Sequence, residues 1–162
     1  MRVSVVICAY DPELYQHLRD AVESVLDQSY DDVEAVVVVD GNETLHRRVR
    51  DEFGDIETVR IHRNETNIGL SRSRNTGIEE STGDVIAFLD DDAVARPNWI
   101  EELVETCDRR DAMAAGGRMA PRWVTDEPTF LPPEFYWLIG VTHRGFPEGE
   151  REVRNTFGST IC

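Results

Sequence analysis

Short apolar runs alternate along the chain with longer segments whose apolar residues recur at helical spacing. The apolar runs are rich in β-branched residues and show no alternation with polar ones, which is typical of strands buried on both faces of a sheet. Recurrence every three or four positions predicts amphipathic helices. The pattern predicts strands at 3–8, 35–39, 58–62 and 85–89, a fifth strand at 113–117, and helices at 13–28, 44–53, 70–80 and from Pro97–Asn98 onward.

This order of strands and helices predicts an α/β domain with a mostly parallel, Rossmann-like sheet and helices on both faces. After Gly117 the pattern changes to a segment rich in proline and aromatic residues, where neither periodicity is clear. We therefore expect one domain over residues 1–162, with a ligand-binding half at 1–117 and the start of a second half at 118–162. The final stretch, Phe157–Cys162, is typical of a strand that begins, so we expect the chain to be truncated at its C-terminus.

Three consecutive aspartates, Asp90–Asp92, close the apolar run at 85–89. They follow the carboxyl end of a predicted strand, and ligands bind at that edge of open α/β sheets. Adjacent carboxylates repel one another, so we expect a compensating cation. Mg²⁺ or Mn²⁺ fits, because these ions prefer oxygen ligands and are commonly shared with substrate phosphates. The alternative is a solvated acidic loop in an acidic chain.

The composition restricts the partners. The 162 residues carry a net charge of −15, and all 17 basic residues are arginine. This acidic excess argues against nucleic acid, whose phosphates would be repelled, and resembles proteins of salt-loving archaea, where salt screens self-repulsion. The three scattered cysteines, Cys8, Cys107 and Cys162, indicate neither a disulfide framework nor a Cys-x-x-Cys metal site, so a reducing cytoplasm is the default. No apolar stretch approaches the roughly 20 residues that span a bilayer.

Polar elements at three other places should meet the aspartates at the same edge of the sheet. Tyr10 can pack on a nucleotide base, Asp40 can accept an imide N–H, and Arg74 can hold a pyrophosphate or a carboxylate. Asp40 precedes Gly41, and this dipeptide is also a common turn. Together these side chains suit a nucleoside diphosphate. The elements are 9–11 after the first strand, 40–42 after the second, 67–77 before the fourth, and 90–92 after the fourth.

This combination resembles family 2 glycosyltransferases of the GT-A (nucleotide-diphospho-sugar transferase) fold. Their pattern is a first strand ending in Ala-Tyr-Asp or similar, an Asp-Asp-Gly-Ser turn, an Asn-x-Gly…Ala-Arg-Asn-x-Gly element, and a strand ending in Asp-x-Asp. The likeness is close up to about Pro97, and Val39 stands in place of the first turn aspartate. By position, the resemblance implies nucleotide-sugar binding by Ala9, Tyr10, Asp11, Asp40, Arg74, Asp90 and Asp91, and metal binding by Asp92.

The resemblance also implies a reaction. Such an enzyme transfers a sugar with inversion, and a divalent metal stabilises the departing nucleoside diphosphate, which we expect to be UDP. The catalytic base would be an Asp or Glu downstream of Cys162. The stretch 135–146 resembles haloarchaeal members that build the surface-layer glycan. These members transfer hexose or hexuronic acid to a dolichyl-phosphate-linked saccharide at the cytoplasmic membrane face, which implies peripheral membrane contact.

Two other functions are compatible with parts of the pattern. A non-catalytic nucleotide-sugar-binding module would share every donor-site residue. A phosphatase of the haloacid dehalogenase class would use an aspartate of 88–94 as nucleophile. That class usually places its signature on the first strand and uses a lysine or arginine after a later one, whereas here the signature is on the fourth strand and lysine is absent. A Rossmann dehydrogenase is disfavoured, because no Gly-x-Gly-x-x-Gly follows the first strand.

The second half offers weaker candidates. His143 could be a general base, although a single histidine among aromatics is more often packed or hydrogen-bonded. Three arginines could bind the carboxylate of a uronic acid, although ion pairs with local acids are the simpler expectation. The aromatic cluster at 130–137 could be core, interface or a lid facing the acceptor. The arginines are Arg118, Arg122 and Arg144.

Overall fold

The computed structural model describes residues 1–146 and 148–153. A short 3₁₀ turn at Pro12–Leu14 precedes the first helix, and a second 3₁₀ helix, Pro133–Ile139, lies in the later segment. None of the helices in these ranges is long and apolar enough to cross a bilayer. In chain order the elements are β1 Val3–Ala9, α1 Tyr15–Leu26, β2 Val33–Asp40, α2 Glu43–Phe53, β3 Val59–Asn64, α3 Leu70–Glu80, β4 Val85–Asp90 and α4 Trp99–Arg110.

The four strands form one parallel sheet in the order β3-β2-β1-β4. From β1 the chain moves outward to β2 and β3, and then returns to place β4 on the free side of β1. The strand order therefore reverses between β1 and β4, and in open α/β sheets the crevice at such a reversal holds the ligand. The prediction of a mostly parallel sheet is confirmed.

The two faces of the sheet carry different helices. Odd-numbered strand residues such as Val5, Val37 and Leu89 belong to one buried cluster with apolar residues of α1, α2 and α4. Even-numbered residues face α3, whose Gly77 lies so close to Val6 that a Cβ there would overlap the valine side chain. Since paired residues of parallel strands share a face, this alternation decides which residues at the strand ends lie on the face covered by α3.

A buried carboxylate joins the strands at the amino edge of the sheet. Glu34 is only 2% exposed and accepts from the Ser4 hydroxyl at 2.6 Å and from the Thr82 amide at 2.7 Å. The Ser4 oxygen in turn accepts from the Gly83 amide at 2.8 Å, and Arg2 lies 3.3 Å from Glu34. Burial alone would raise the pKa of Glu34, but the hydrogen bonds from Ser4 and Thr82 and the charge of Arg2 outweigh it and lower the pKa.

Three expectations from the sequence need correction or comment. The predicted fifth strand at 113–117 is wrong: within the described residues only an isolated bridge forms at Gly116, and Met113 is fully exposed. Its Met-Ala-Ala-Gly-Gly sequence has little strand propensity. The first helix begins later than predicted, because Asp11 caps the 3₁₀ turn by accepting from the Glu13 amide. The predicted strand start at 157–162 lies outside the described residues.

Candidate functional site

Where the strand order reverses, between β1 and β4, the positively charged Arg74 side chain lies among carboxylates. Arg74, on the second turn of α3, donates from Nη2 to Asp90 Oδ1 at 3.0 Å, and its guanidinium carbon lies 5.3 Å from the centroid of the Phe88 ring. Asp90 is the last residue of β4 and pairs in register with Cys8 of β1. The predicted proximity of Arg74 to the triple aspartate is therefore observed, with Asp90 as the direct partner.

The three aspartates differ in environment. Burial first, and then the negative charges of Asp92 and Asp90, raise the pKa of Asp91 to about 6. Asp92 is exposed, whereas Asp90 and Asp91 are half-buried. Among residues 1–146 and 148–153, no group of three or more His, Cys, Asp or Glu side chains could enclose a metal ion. A cation bound at Asp92 would therefore have to take further oxygens from water or from a ligand, as Mg²⁺ commonly does.

The end of β1 is held by its neighbour along the sheet. Asn42 donates to the Tyr10 carbonyl at 3.1 Å and caps α2 by accepting from the Leu45 amide at 2.9 Å. The Tyr10 ring is 60% exposed, so it can meet a ligand without rearrangement of the core. Ala9 itself is buried, and Asp11 is half-buried at the cap of the following turn.

Asp40 is directed mainly to its own chain. The buried carboxylate accepts from the Ile68 amide and from Asn64 Nδ2 on Oδ1, and from the Gly69 amide on Oδ2, each at 2.9 Å. Burial alone would raise the pKa of Asp40, but these donors and Ser73 outweigh it and lower the pKa. Because a carboxylate has about four acceptor positions, little capacity is left. A contact from Asp40 to a nucleotide base stays a prediction.

Glycine is required in the turn that follows Asp40. Gly41 has a φ of +74°, and a Cβ there would overlap the backbone of Asn67. The turn after β2 thus packs directly against the loop that leads into α3. This close approach explains why the Asp-Gly element and the Asn-x-Gly element, far apart in sequence, form one unit.

Sequence reasoning missed four residues at this edge. Asn64 ends β3 beside Asp40, Ser73 is fully buried on α3, and His17 of α1 is close enough to Asp91 to lower its pKa. Burial is the main reason that the pKa of Cys8 rises to about 12, with smaller effects of the surrounding charged groups. Strand parity could have indicated Asn64 and Cys8, since both share the face of Asp40 and Asp90. No sequence signal indicates His17.

Three of the four candidates of the second half make local contacts. Arg122 pairs with Asp20 of α1 at 3.2 Å, and Arg144 pairs with Glu134 at 2.6 Å. The His143 ring packs edge-on against Phe146, with the centroids 5.9 Å apart. Arg118 is exposed.

The aromatic cluster divides into a packed part and an exposed part. Tyr136 is buried, packs edge-on against Trp123 with centroids 5.8 Å apart, and donates its hydroxyl proton to Glu127. In contrast, Phe130 is 85% exposed and Trp137 is 53% exposed. The cluster is therefore in part a small local core and in part an uncovered apolar surface.

Comparison with known proteins decides the family. The sequence profile described as "Glycosyl transferase family 2" matches residues 4–159, nearly the whole chain. This chain belongs to glycosyl transferase family 2. It is 54% identical over 162 residues to the glucosyl-dolichyl phosphate glucuronosyltransferase of Haloferax volcanii. That alignment covers 99% of this chain and 52% of the Haloferax protein. It is also 32% identical over 116 residues to an uncharacterized glycosyltransferase of Haemophilus influenzae, covering 71% of this chain and 35% of that protein.

Solved structures share the fold of this chain. The crystal structure of S. aureus TarS 1-349 in complex with UDP-GlcNAc aligns with a TM-score of 0.67 at 18% identity, over 81% of this chain and 38% of that one. The predicted GT-A fold is thereby confirmed. The chain spans about half the length of the Haloferax relative and about a third of the length of the Haemophilus relative.

Proposed function

We propose that the protein containing this family 2 chain transfers a sugar from a nucleoside diphosphate sugar to a lipid-linked saccharide. The observation that carries the proposal is the pairing of Arg74 with Asp90 at the strand-order reversal, beside two further aspartates and the exposed Tyr10 ring. Of the expected sugars, hexose or hexuronic acid, the name of the Haloferax relative, at 54% identity, supports the hexuronic acid, and it supports a dolichyl phosphate-linked acceptor.

In this proposal the donor lies across the carboxyl ends of β1 and β4. Ala9, Tyr10 and Asp11 flank the base, with the tyrosine ring packing on its face. Asp40 holds the loop that borders the base, and Asp90 and Asp91 address the ribose and the diphosphate. A guanidinium has more N–H donors than one carboxylate oxygen can use, so Arg74 can hold Asp90 and still donate to a phosphate.

The same proposal assigns Asp92 to a divalent cation, Mg²⁺ or Mn²⁺. Its exposed carboxylate is a hard oxygen ligand, which fits such an ion when phosphate oxygens and water complete the coordination. When bound, the ion supplies positive charge that stabilises the departing diphosphate. Arg74 contributes charge of the same sign from the protein itself.

The chemistry is a single displacement. The acceptor hydroxyl oxygen forms a bond to the anomeric carbon while the bond from that carbon to the phosphate oxygen breaks, and a carboxylate base takes the hydroxyl proton. Configuration at the anomeric carbon inverts, and the nucleoside diphosphate leaves with the bonding electron pair. The protein's tasks are to hold the donor in line and to neutralise the leaving group.

We further propose that transfer takes place at the cytoplasmic face of the membrane through peripheral contact. A lipid-linked acceptor requires the enzyme to approach a bilayer. The exposed Phe130, Trp137, Leu138 and Ile139 give the second half an apolar surface of the kind that interfacial proteins use.

The experiment that tests the function uses the full-length protein in molar salt. Calorimetry with UDP-, GDP- and dTDP-sugars, with and without Mn²⁺, should show metal-assisted binding of one donor. Incubation with a dolichyl phosphate-linked saccharide should then give transfer with inversion. Binding without transfer would favour the non-catalytic module, and release of phosphate from an aryl phosphate would favour the phosphatase.

A matched pair of variants tests the metal assignment. Asp92→Ala should abolish the effect of Mn²⁺ on donor binding. Asp55→Ala, an exposed aspartate before β3 at the opposite edge of the sheet, should leave it unchanged. Donor binding that needs no metal in the wild type, or that responds to Mn²⁺ equally in both variants, would contradict the assignment.

A further inference from the structure

A row of polar groups lies along the carboxyl edge of the sheet on the face covered by α3. Asp40 and Asn64 are the last residues of β2 and β3 and pair in register, and Asp90 ends β4 with the same parity. Asp40 and Asn64 are 6% and 7% exposed. Buried polar groups at this depth are costly unless each finds a partner, so their contacts indicate what they hold in place.

The Asn64 amide is used at both ends. Its Nδ2 donates to Asp40 Oδ1 at 2.9 Å and to Ser73 Oγ at 3.0 Å, so both hydrogens have acceptors. Its Oδ1 lies 3.4 Å from the Thr76 hydroxyl, whose single proton is shared with the Arg72 carbonyl at 3.2 Å. Asn64 therefore links the end of β2 to two consecutive turns of α3, and a side chain without this combination of donors and acceptor could not do so.

Asp40 completes the link at the start of the helix. Its two oxygens accept from the Ile68 and Gly69 amides, and Gly69 is the N-cap residue of α3. A carboxylate near a helix N-terminus is favoured by the helix dipole, and here it comes from a neighbouring strand and holds the two amides just before the first helical residue. Gly77 packs α3 onto Val6 one turn beyond Ser73.

These contacts determine where Arg74 lies. Ser73 is fully buried and immediately precedes Arg74, so any shift of Ser73 away from Asn64 also moves the arginine. The Arg74 guanidinium lies 3.0 Å from Asp90, and the Arg74 side chain is 25% exposed. A displacement of about 1 Å is enough to weaken a positioned catalytic or binding contact.

We propose that Asn64 and Ser73 are positioning residues, which seat α3 on Asp40 so that Arg74 is presented to the diphosphate of the donor. The inference rests on the proposed function, because it assigns these residues to the same donor site. Neither side chain touches the donor in this account. Their effect on binding passes through Arg74, and it should therefore depend on the phosphates of the ligand and not on its base.

The matched test compares two buried serines at opposite edges of the sheet. Ser73 and Ser4 are both fully buried and lie next to a buried carboxylate. Ser4 donates directly to Glu34, whereas Ser73 accepts from Asn64, which also donates to Asp40. In the full-length protein, Ser73→Ala should weaken binding of UDP about tenfold, as expected from loss of one buried hydrogen-bonding partner. Ser4→Ala should lower the melting temperature but leave UDP affinity within about twofold.

The ligand pair separates positioning from general damage. Titration with uridine, which lacks phosphates, should show nearly equal affinity for wild type and Ser73→Ala. In an Arg74→Leu background, Ser73→Ala should have almost no further effect on UDP, because the side chain that it positions is gone. Thr76→Val is a milder change at the other end of the Asn64 amide, so it should weaken UDP binding less than Ser73→Ala does.

The outcomes are distinct. If Ser73→Ala and Thr76→Val bind UDP as tightly as the wild type does, the positioning role is wrong. It is also wrong if Ser73→Ala loses as much affinity for uridine as for UDP. An undiminished effect of Ser73→Ala in the Arg74→Leu background would also overturn it. If the wild type binds none of UDP, GDP and dTDP, the proposed function fails first, and the positioning role fails with it.

Discussion

Replacement of Glu34 by glutamine tests how the amino edge of the sheet is held. The side chain is 2% exposed, so its contacts are little weakened by solvent. Glutamine keeps an acceptor for the Ser4 hydroxyl and the Thr82 amide, which lie at 2.6 and 2.7 Å, but it loses the negative charge and faces Arg2 with an amide. Hydrogen bonds to a charged group contribute about 1.5–3 kcal/mol and neutral ones about 1 kcal/mol.

From these contacts we expect Glu34→Gln to lower the free energy of unfolding by about 2 kcal/mol at pH 7. The Arg2 side chain is 38% exposed, so its share of that loss should be small. For a chain of this size the melting temperature should fall by about 4–8 °C. Urea titrations followed by circular dichroism in molar salt measure the difference, with Asp55→Asn as the exposed control.

The pH dependence gives the sharper check. The folded pKa of Glu34 is lowered, so its contribution is fully present above the unfolded pKa, about 4.3, and is lost as pH falls through the folded pKa. A protonated glutamate resembles glutamine, so the stability gap between wild type and variant should be full at pH 7 and close as pH falls below about 4. A gap below about 0.5 kcal/mol at pH 7, or one unchanged at low pH, would refute the reasoning.

Three further predictions concern packing, turn geometry and charge. Gly77→Ala places a methyl group against Val6 and should lower the free energy of unfolding, measured with urea, by about 1–3 kcal/mol. Ile78→Ala, at the neighbouring residue that is 43% exposed, should lower it less. Equal losses would contradict close packing of α3. Gly41→Ala introduces a Cβ at φ +74° against Asn67, and calorimetry should show weaker nucleotide binding together with a lower melting temperature; unchanged binding would separate the turn from the site. Because the net charge is −15, unfolding free energy should rise between about 0.1 and 2 M KCl, and a fall would argue against self-repulsion as the destabilising force.

The sequence predicted the fold well where two independent signals agreed. The run at 85–89 is apolar and bounded by turn residues, and β4 extends it by one residue to Asp90. The helix at 70–80 was predicted with its observed bounds, since the apolar spacing and the Thr82–Gly83 turn that follows it agree. At 113–117 only weak apolarity supported a strand, and with little β-propensity and no strand partner in the described chain, none formed.

The site was predicted in its members but not in its contacts. Motif order brought Tyr10, Asp40, Arg74 and the aspartates to one edge, because parallel strands end there together. Which groups touch depends on side-chain directions and distances that no spacing specifies. Thus Asp40, expected at the base, holds the Ile68 and Gly69 amides.

By itself, the sequence determined the α/β class, the edge of the sheet at which the polar residues meet, and the acidic, lysine-free surface. These follow from periodicity and composition, which act locally and add along the chain. Only the tertiary structure decided that Arg74 pairs with Asp90, that Asp40 holds the Ile68 and Gly69 amides, and that Asn64 joins Asp40 to Ser73. Those contacts arise from the register of β2 with β3 and from the seating of α3 on Val6, and they bring together residues far apart along the chain.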